Sequence, residues 1–137
     1  MSAAAARDLI DAYYAAFNCG DAEGMLVLLA EDVVHEPSQG QPREGKSLFG
    51  EFLEHMNRCY AEQVRDPLIM TSEDGSRAAA EFMLDGRYRE TDEGLPAAKG
   101  QVYRLRVGAF FEVSGGKIAR VSNHYNLADW IAQVQAD

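Results

Sequence analysis

The chain has 137 residues, of which 47% are apolar, and carries a formal net charge of -9 with a sequence pI near 4.7. That length suits a single domain over 1–137 with a core of its own, and leaves little room for a second. The acidic balance argues against nucleic acid or an anionic membrane as partner, because both select a basic surface, and leaves neutral small molecules or another protein.

From Ala3 to Cys19 the apolar residues Leu9, Ile10, Tyr13, Tyr14 and Phe17 recur three and four apart, the period of a helix with one buried face. Gly20 stops that helix, and Asp21 caps a shorter one running to about Leu29. Val33 to Glu36 is a short extended piece. Pro37 to Gly45 holds two prolines and two glycines and reads as a loop. Helical period returns from Lys46 to Tyr60 with Leu48, Phe49, Phe52, Leu53 and Met56; Gly50 weakens that helix by roughly 1 kcal/mol relative to alanine.

After Pro67 the period changes to two, with turns at Asp74-Gly75, Glu93 to Pro96 and Gly115-Gly116. Four antiparallel strands are expected, over Leu68 to Ser72, Arg77 to Glu90, Gly100 to Val113 and Lys117 to Tyr125. Asn126 then offers an N-cap to a last short helix carrying Leu127, Trp130, Ile131 and Val134. Helices first and long strands afterwards predict an α+β fold with helices on one face of a strongly curved, mostly antiparallel sheet.

Alternation assigns the strand faces. Tyr103, Leu105, Val107, Ala109, Phe111 and Val113 point inward in the third strand, and Ala80, Phe82, Leu84, Gly86 and Tyr88 in the second. Ala119, Val121, Asn123 and Tyr125 share the inner face of the last strand, which makes Asn123 and Tyr125 candidate polar groups in an apolar pocket. On the outer face Arg104 and Arg106 can pair with Glu81 and Asp85, where a dimer contact or plain solvent is expected. His35 alternates away from Glu36, His124 is out of phase with the pocket face, and His55 sits among polar neighbours; all three read as surface or interface residues.

The run Tyr13-Tyr14-Ala15-Ala16-Phe17-Asn18-Cys19-Gly20-Asp21, followed by His35-Glu36-Pro37 and Pro42-Arg43-Glu44-Gly45, resembles the front half of the ketosteroid isomerase and SnoaL-like group of the NTF2-like superfamily. The terminal Tyr125 to Trp130 segment and the Gly94-Leu95-Pro96 loop are more similar to SnoaL-like polyketide cyclases. The resemblance implies a cone-shaped pocket, with Glu36 in the position of the general base and Tyr13 as donor to the substrate oxygen. Tyr88, Tyr103, Asn123 and Tyr125 would shape the pocket around an apolar small-molecule ligand, with no cofactor. Family habit also implies a homodimer through the outer sheet face.

Such a pair is chemically sensible: moving a proton alpha to a ketone needs a base near the carbon and a donor on the enolate oxygen. A carboxylate in an apolar pocket is a stronger base, and a tyrosine donates without a charge to desolvate. The isomerases add a protonated aspartate to the oxyanion hole; that slot holds Ala109, or Gly108 in an ungapped alignment, neither of which can donate. Losing one such donor typically costs about 3 to 4 kcal/mol.

Other chemistries find less support. The three histidines are scattered, so no metal site is expected. Gly115-Gly116-Lys117 precedes a strand and is a hairpin, not a phosphate loop. Epoxide hydrolysis on this fold would want acids and an arginine inside, which the inward faces do not supply. Cys19 and Cys59 are expected to be free, reduced thiols in a cytoplasmic protein. No run approaches the roughly 20 apolar residues of a membrane span, and Met1 to Ala6 do not suggest a signal peptide. Two functions remain: proton transfer, as isomerisation or aldol-type cyclisation, on a cyclic ketone-like substrate, or a non-catalytic ligand-binding or dimerisation module on the same fold.

Overall fold

The computed structural model describes residues 2–136. Helix α1 spans Ala3–Asn18, with the Ser2 hydroxyl accepting from the Ala5 N–H at 3.0 Å as its N-cap. Its buried face is Ala6, Ile10, Tyr13 and Tyr14, the stripe the periodicity marks. Gly20 turns the chain at φ 68° and the Asp21 carboxylate caps α2, Ala22–Leu26, through the Gly24 N–H. Helix α2 stops three residues short of the expected end. Leu29 already belongs to strand β1, Leu29–Glu36, and the Leu28 carbonyl accepts from the Ile118 N–H, so sheet pairing takes over from helix there.

Strand β2, Arg43–Glu44, precedes α3, Lys46–Cys59, whose buried side is Phe49, Leu53 and Cys59. Strand β3, Tyr60–Thr71, follows without a linker. It was expected only from Leu68. Asp66, at φ 50°, and Pro67 form an irregularity between two well-paired halves, Tyr60 to Arg65 and Leu68 to Thr71. Proline is tolerated because β3 is the sheet edge. Strands β4, Arg77–Tyr88, β5, Val102–Ser114, and β6, Lys117–His124, complete the sheet. Helix α4, Leu127–Gln135, starts on the Asn126 cap, as expected.

The six strands run β2-β1-β6-β5-β4-β3, antiparallel except for β1 beside β6. Tyr103, Leu105, Val107, Ala109 and Phe111 are all buried, together with Ala80, Phe82, Leu84 and Tyr88. The alternation therefore assigns the inner face correctly, and α1, α3 and α4 cover it. On the outer face Arg104 pairs with Asp85 at 3.0 Å and Arg106 with Glu81 at 2.6 Å, the cross-strand pairs expected. These side chains are exposed, so each pair contributes no more than about 1 kcal/mol. Among the described residues, no helix is long and apolar enough to cross a membrane.

Candidate functional site

A cavity of about 880 Å³ lies between the concave sheet face and the helices. Leu84, Leu105 and Val107 from the sheet, Phe49, Phe52 and Leu53 from α3 and Trp130 from α4 give it apolar walls, and a limited set of polar groups breaks them.

The most consequential polar group is Glu62 on β3. It pairs in register with Gly86 on β4, and Gly86 pairs with Tyr103 on β5, so the three share one row across the sheet. With no side chain at Gly86, the Tyr103 ring lies across the middle strand and its hydroxyl donates to Glu62 Oε2 at 2.5 Å. Burial pushes the Glu62 carboxyl up to about 7, against the opposing pull of the Tyr103 hydrogen bond. A carboxyl poised there both accepts and returns protons at neutral pH.

Glu62 is held from the helix side as well. The Asn18 amide donates to the Val64 carbonyl at 2.9 Å while its oxygen accepts from the Val64 N–H at 2.8 Å, and Gln63 donates to the Asn18 carbonyl. The asparagine of the Asn-x-Gly-Asp turn thus acts as one more rung on the edge strand, two residues from Glu62.

At the mouth, Arg58 donates to His55 Nδ1 at 3.1 Å, which leaves the Nε2 proton to bond Asp92 Oδ1 at 3.0 Å. Tyr60 donates to the other Asp92 oxygen at 2.7 Å. Ligand atoms of His55, Cys59 and Asp92 lie within 4.8 Å of one another, so the fold gathers a trio that could hold a metal ion, which the scattered sequence positions did not suggest. Burial, and then the nearby Asp92 charge, push the Cys59 thiol up, away from the thiolate a metal needs. Both cysteines are free.

Residues 10–121 match the SnoaL-like domain family. A proposed polyketide cyclase from Pseudomonas putida KT2440 shares 56% identity over 94% of this chain and 97% of its own, with a TM-score of 0.93. A second proposed polyketide cyclase, from Xanthomonas campestris pv. campestris, shares 50% identity over 97% and 98% of the two chains, at a TM-score of 0.94. An NTF2-like protein from Burkholderia xenovorans LB400, at 15% identity, 98% and 99% coverage and a TM-score of 0.78, shares the fold. No curated protein matches significantly. The chain belongs to the SnoaL-like family and has the NTF2-like fold.

In this SnoaL-like chain three of the residues singled out from the sequence, Tyr13, Asn123 and Tyr125, line the cavity. Tyr13 is buried against Tyr14 and Phe111, and burial pushes its hydroxyl far above the usual range, so it stays a neutral donor. Asn123 pairs in register with the buried Ala109, one of the two positions, with Gly108, that the resemblance aligns with the isomerases' second acid. Tyr88 and Tyr103 stand behind the wall. Tyr88 stacks on Tyr60 and donates to the Pro96 carbonyl, and Tyr103 acts through Glu62.

Glu36 does not reach the cavity. It points to the outer face and pairs with Arg120 at 3.1 Å, which also binds Glu112. His35 takes the inward position instead, 1% exposed, packed between Phe49 and Phe52. The expectation was the reverse, and the local sequence held no signal against it: Val33 shares a face with His35 and Val34 shares one with Glu36, so the two faces are equally apolar. His55, expected at the surface, is half-exposed and lines the mouth. Glu62 and Asp92 also correct the expectation of an interior without acids. Residues 61–67 received no face, because the helix was read as ending at Tyr60 and the strand as starting at Leu68.

Proposed function

We propose that this protein is a small enzyme that moves a proton on an apolar, cyclic ketone-like substrate held in the cavity, in an isomerisation or an aldol-type ring closure. The observation that carries the reading is Glu62, a carboxyl poised near neutrality in an apolar cavity. Glu62 takes the proton alpha to the carbonyl: the C–H bond breaks, an O–H bond forms on the carboxylate, and the electron pair moves to the substrate oxygen. Tyr13 or Asn123 donates to that oxygen; in the isomerisation Glu62 returns the proton to a second carbon, and in the ring closure the enolate carbon bonds to a second carbonyl carbon of the substrate, that C=O pair moves to its oxygen, and Glu62 gives the proton to the alkoxide. Tyr103 is a positioning residue, fixing the carboxylate. In this reading Glu62 takes the role that the resemblance gives to Glu36, whose carboxylate is held by Arg120. The relatives described as polyketide cyclases support a carbonyl substrate.

The test is hydrogen-to-deuterium exchange alpha to the carbonyl, followed by NMR in heavy water over a panel of cyclic ketones. Wild type and Glu36→Gln should both catalyse exchange, and Glu62→Gln should lose it by two orders of magnitude or more. Exchange that survives Glu62→Gln removes Glu62 from the role. The second reading, a non-catalytic ligand-binding or dimerisation module, draws on Ala109 or Gly108, neither able to donate, in the slot that the resemblance gives to the isomerases' second acid; absence of exchange by any ketone would favour it.

A further inference from the structure

Arg58, Arg65, Arg77, Arg104, Arg106 and Arg120 each stand in an ion pair with a carboxylate. In a chain of net charge -9 acids are in excess, so an arginine without one is the exception. Arg43 is such a residue, and it lines the cavity. Among the described residues its guanidinium has neither an ion-pair nor a hydrogen-bond partner, and its one directed contact is with the ring of Phe52.

The sheet register places it there. Arg43 on β2 pairs with His35 on β1, so the two side chains share the inner face. The acids nearest in the chain lie on the other face: Glu44 pairs with Val34, one residue out of phase with His35, and Glu36 is held by Arg120. The acids that line the cavity, Glu62, Asp92 and Glu93, come from β3 and the loop after β4, whereas β2 is the opposite edge of the sheet. The guanidinium carbon stands 5.9 Å from the Phe52 ring centroid, a cation–π contact that holds the charge against the apolar wall. Burial first, and then the Arg43 charge, hold the His35 imidazole down at about 4, so that charge is felt on the wall and His35 stays neutral beside it. Arg89, the other arginine lining the cavity, donates instead to the Asn57 carbonyl at 3.2 Å, toward the C-terminal end of α3.

A guanidinium is permanently charged, and its planar fork of N–H donors matches the two oxygens of a carboxylate. Arg43 is exposed, so a charged group bound to it keeps part of its hydration while an apolar ring body enters the cavity, and the desolvation cost of a fully buried ion is avoided. We propose that Arg43 docks a carboxylate of the substrate at the rim of the cavity, which narrows the substrate to an apolar cyclic ketone that also carries an acid group. Held at the β2 edge, such a molecule points its ring body across the sheet toward Glu62 on β3. The fate of the ketone rests on the proposed function; the carboxylate site does not.

The test is equilibrium binding, by calorimetry at neutral pH, of bicyclic probes matched in shape: 1-tetralones bearing a carboxylate at one ring position at a time, each paired with its uncharged primary amide. At least one carboxylate should bind wild type about tenfold or more tighter than its amide, as a charge-assisted contact would give. Arg43→Gln should remove that preference while retaining the amide's affinity, which shows that the cavity itself is intact. Amides that bind as tightly as their carboxylates, a preference that Arg43→Gln keeps, or no binding of any probe at millimolar concentration would each overturn the proposal. The outcome is separable from that of the proposed reaction. Glu62→Gln should lose proton exchange and keep the preference for the carboxylate, and a wild type that exchanges no ketone but shows an Arg43-dependent preference would reject the reaction while supporting the carboxylate site.

Discussion

Glu62 and Tyr103 meet across an intervening strand, over a glycine. Their strands β3 and β5 are not neighbours, and the 2.5 Å hydrogen bond between them exists only because Gly86 leaves the middle position of the row empty. A Cβ at Gly86 would run into the Tyr103 ring. Gly86→Ala should therefore cost about 1–3 kcal/mol through overpacking, seen as a lower melting temperature, and should uncouple Tyr103 from Glu62. The same variant should lose proton-exchange activity on ketones while keeping its far-UV circular dichroism. An unchanged melting temperature would mean that Tyr103 swings away freely and holds Glu62 only loosely.

Two titratable groups of the cavity wall, the half-buried Glu62 and the buried His35, should bend the pH–stability profile in opposite directions. Glu62 is raised from 4.5 to about 7, so between those values the unfolded chain releases a proton that the folded chain keeps, and stability falls as pH rises. His35 is lowered from 6.5 to about 4, so in that window the unfolded chain takes up a proton that the folded chain refuses, and stability rises with pH. Each contributes at most about 3 kcal/mol, and between pH 4.5 and 6.5 they oppose one another. Relative to wild type, Glu62→Gln should gain stability as pH rises from 4.5 to 7, and His35→Phe should gain it as pH falls from 6.5 to 4. Chemical denaturation at half-unit pH steps would check both, and parallel profiles for all three proteins would contradict the shifts of these groups.

The fold was largely legible because alternation and helical period are long signals. The inner faces of β4 and β5 follow from residues 77–113 without exception. The site was less so, and the reason lies in two junctions. Tyr60 ends the apolar period of α3 and also starts β3, so the strand that carries Glu62 has no turn residue to announce it. At β1 the proline after Glu36 drew attention to the carboxylate, and with Val33 on one face and Val34 on the other the alternation had no phase; only tertiary packing puts Val33 and His35 inside. Asp92 and His55 come together only through the loop after β4, a contact with no local sequence signature.

Asn18 offers a check on how β3 is anchored. Its side chain supplies both partners for the Val64 backbone, so removing it leaves a buried N–H and a buried carbonyl unsatisfied at a sheet edge. Asn18→Ala should cost about 2–4 kcal/mol, and Asn18→Asp, which keeps the acceptor but not the donor, should cost less. Amide hydrogen exchange at Val64 gives the direct readout. Protection should drop there in Asn18→Ala before it drops in β5, and unchanged protection would show that the edge is held by β4 alone.

The outer sheet face carries the last expectation, a homodimer. Met70, Ala79 and Phe110 lie opposite one another on three adjacent strands and form an apolar row between ion pairs, with Met70 48% and Phe110 50% exposed. The Arg106–Glu81 pair, next along the same face, neutralises the charge that would otherwise resist a second copy. Apolar rows of this kind with a polar rim mark interaction surfaces more often than solvent. Light scattering at micromolar concentration should give the mass of two chains, and Phe110→Glu, which sets a charge in the centre of the row, should give the mass of one without lowering the melting temperature by more than the loss of the dimer itself. A wild-type mass of one chain would reject the dimer, and a Phe110→Glu protein that stays dimeric would move the contact elsewhere.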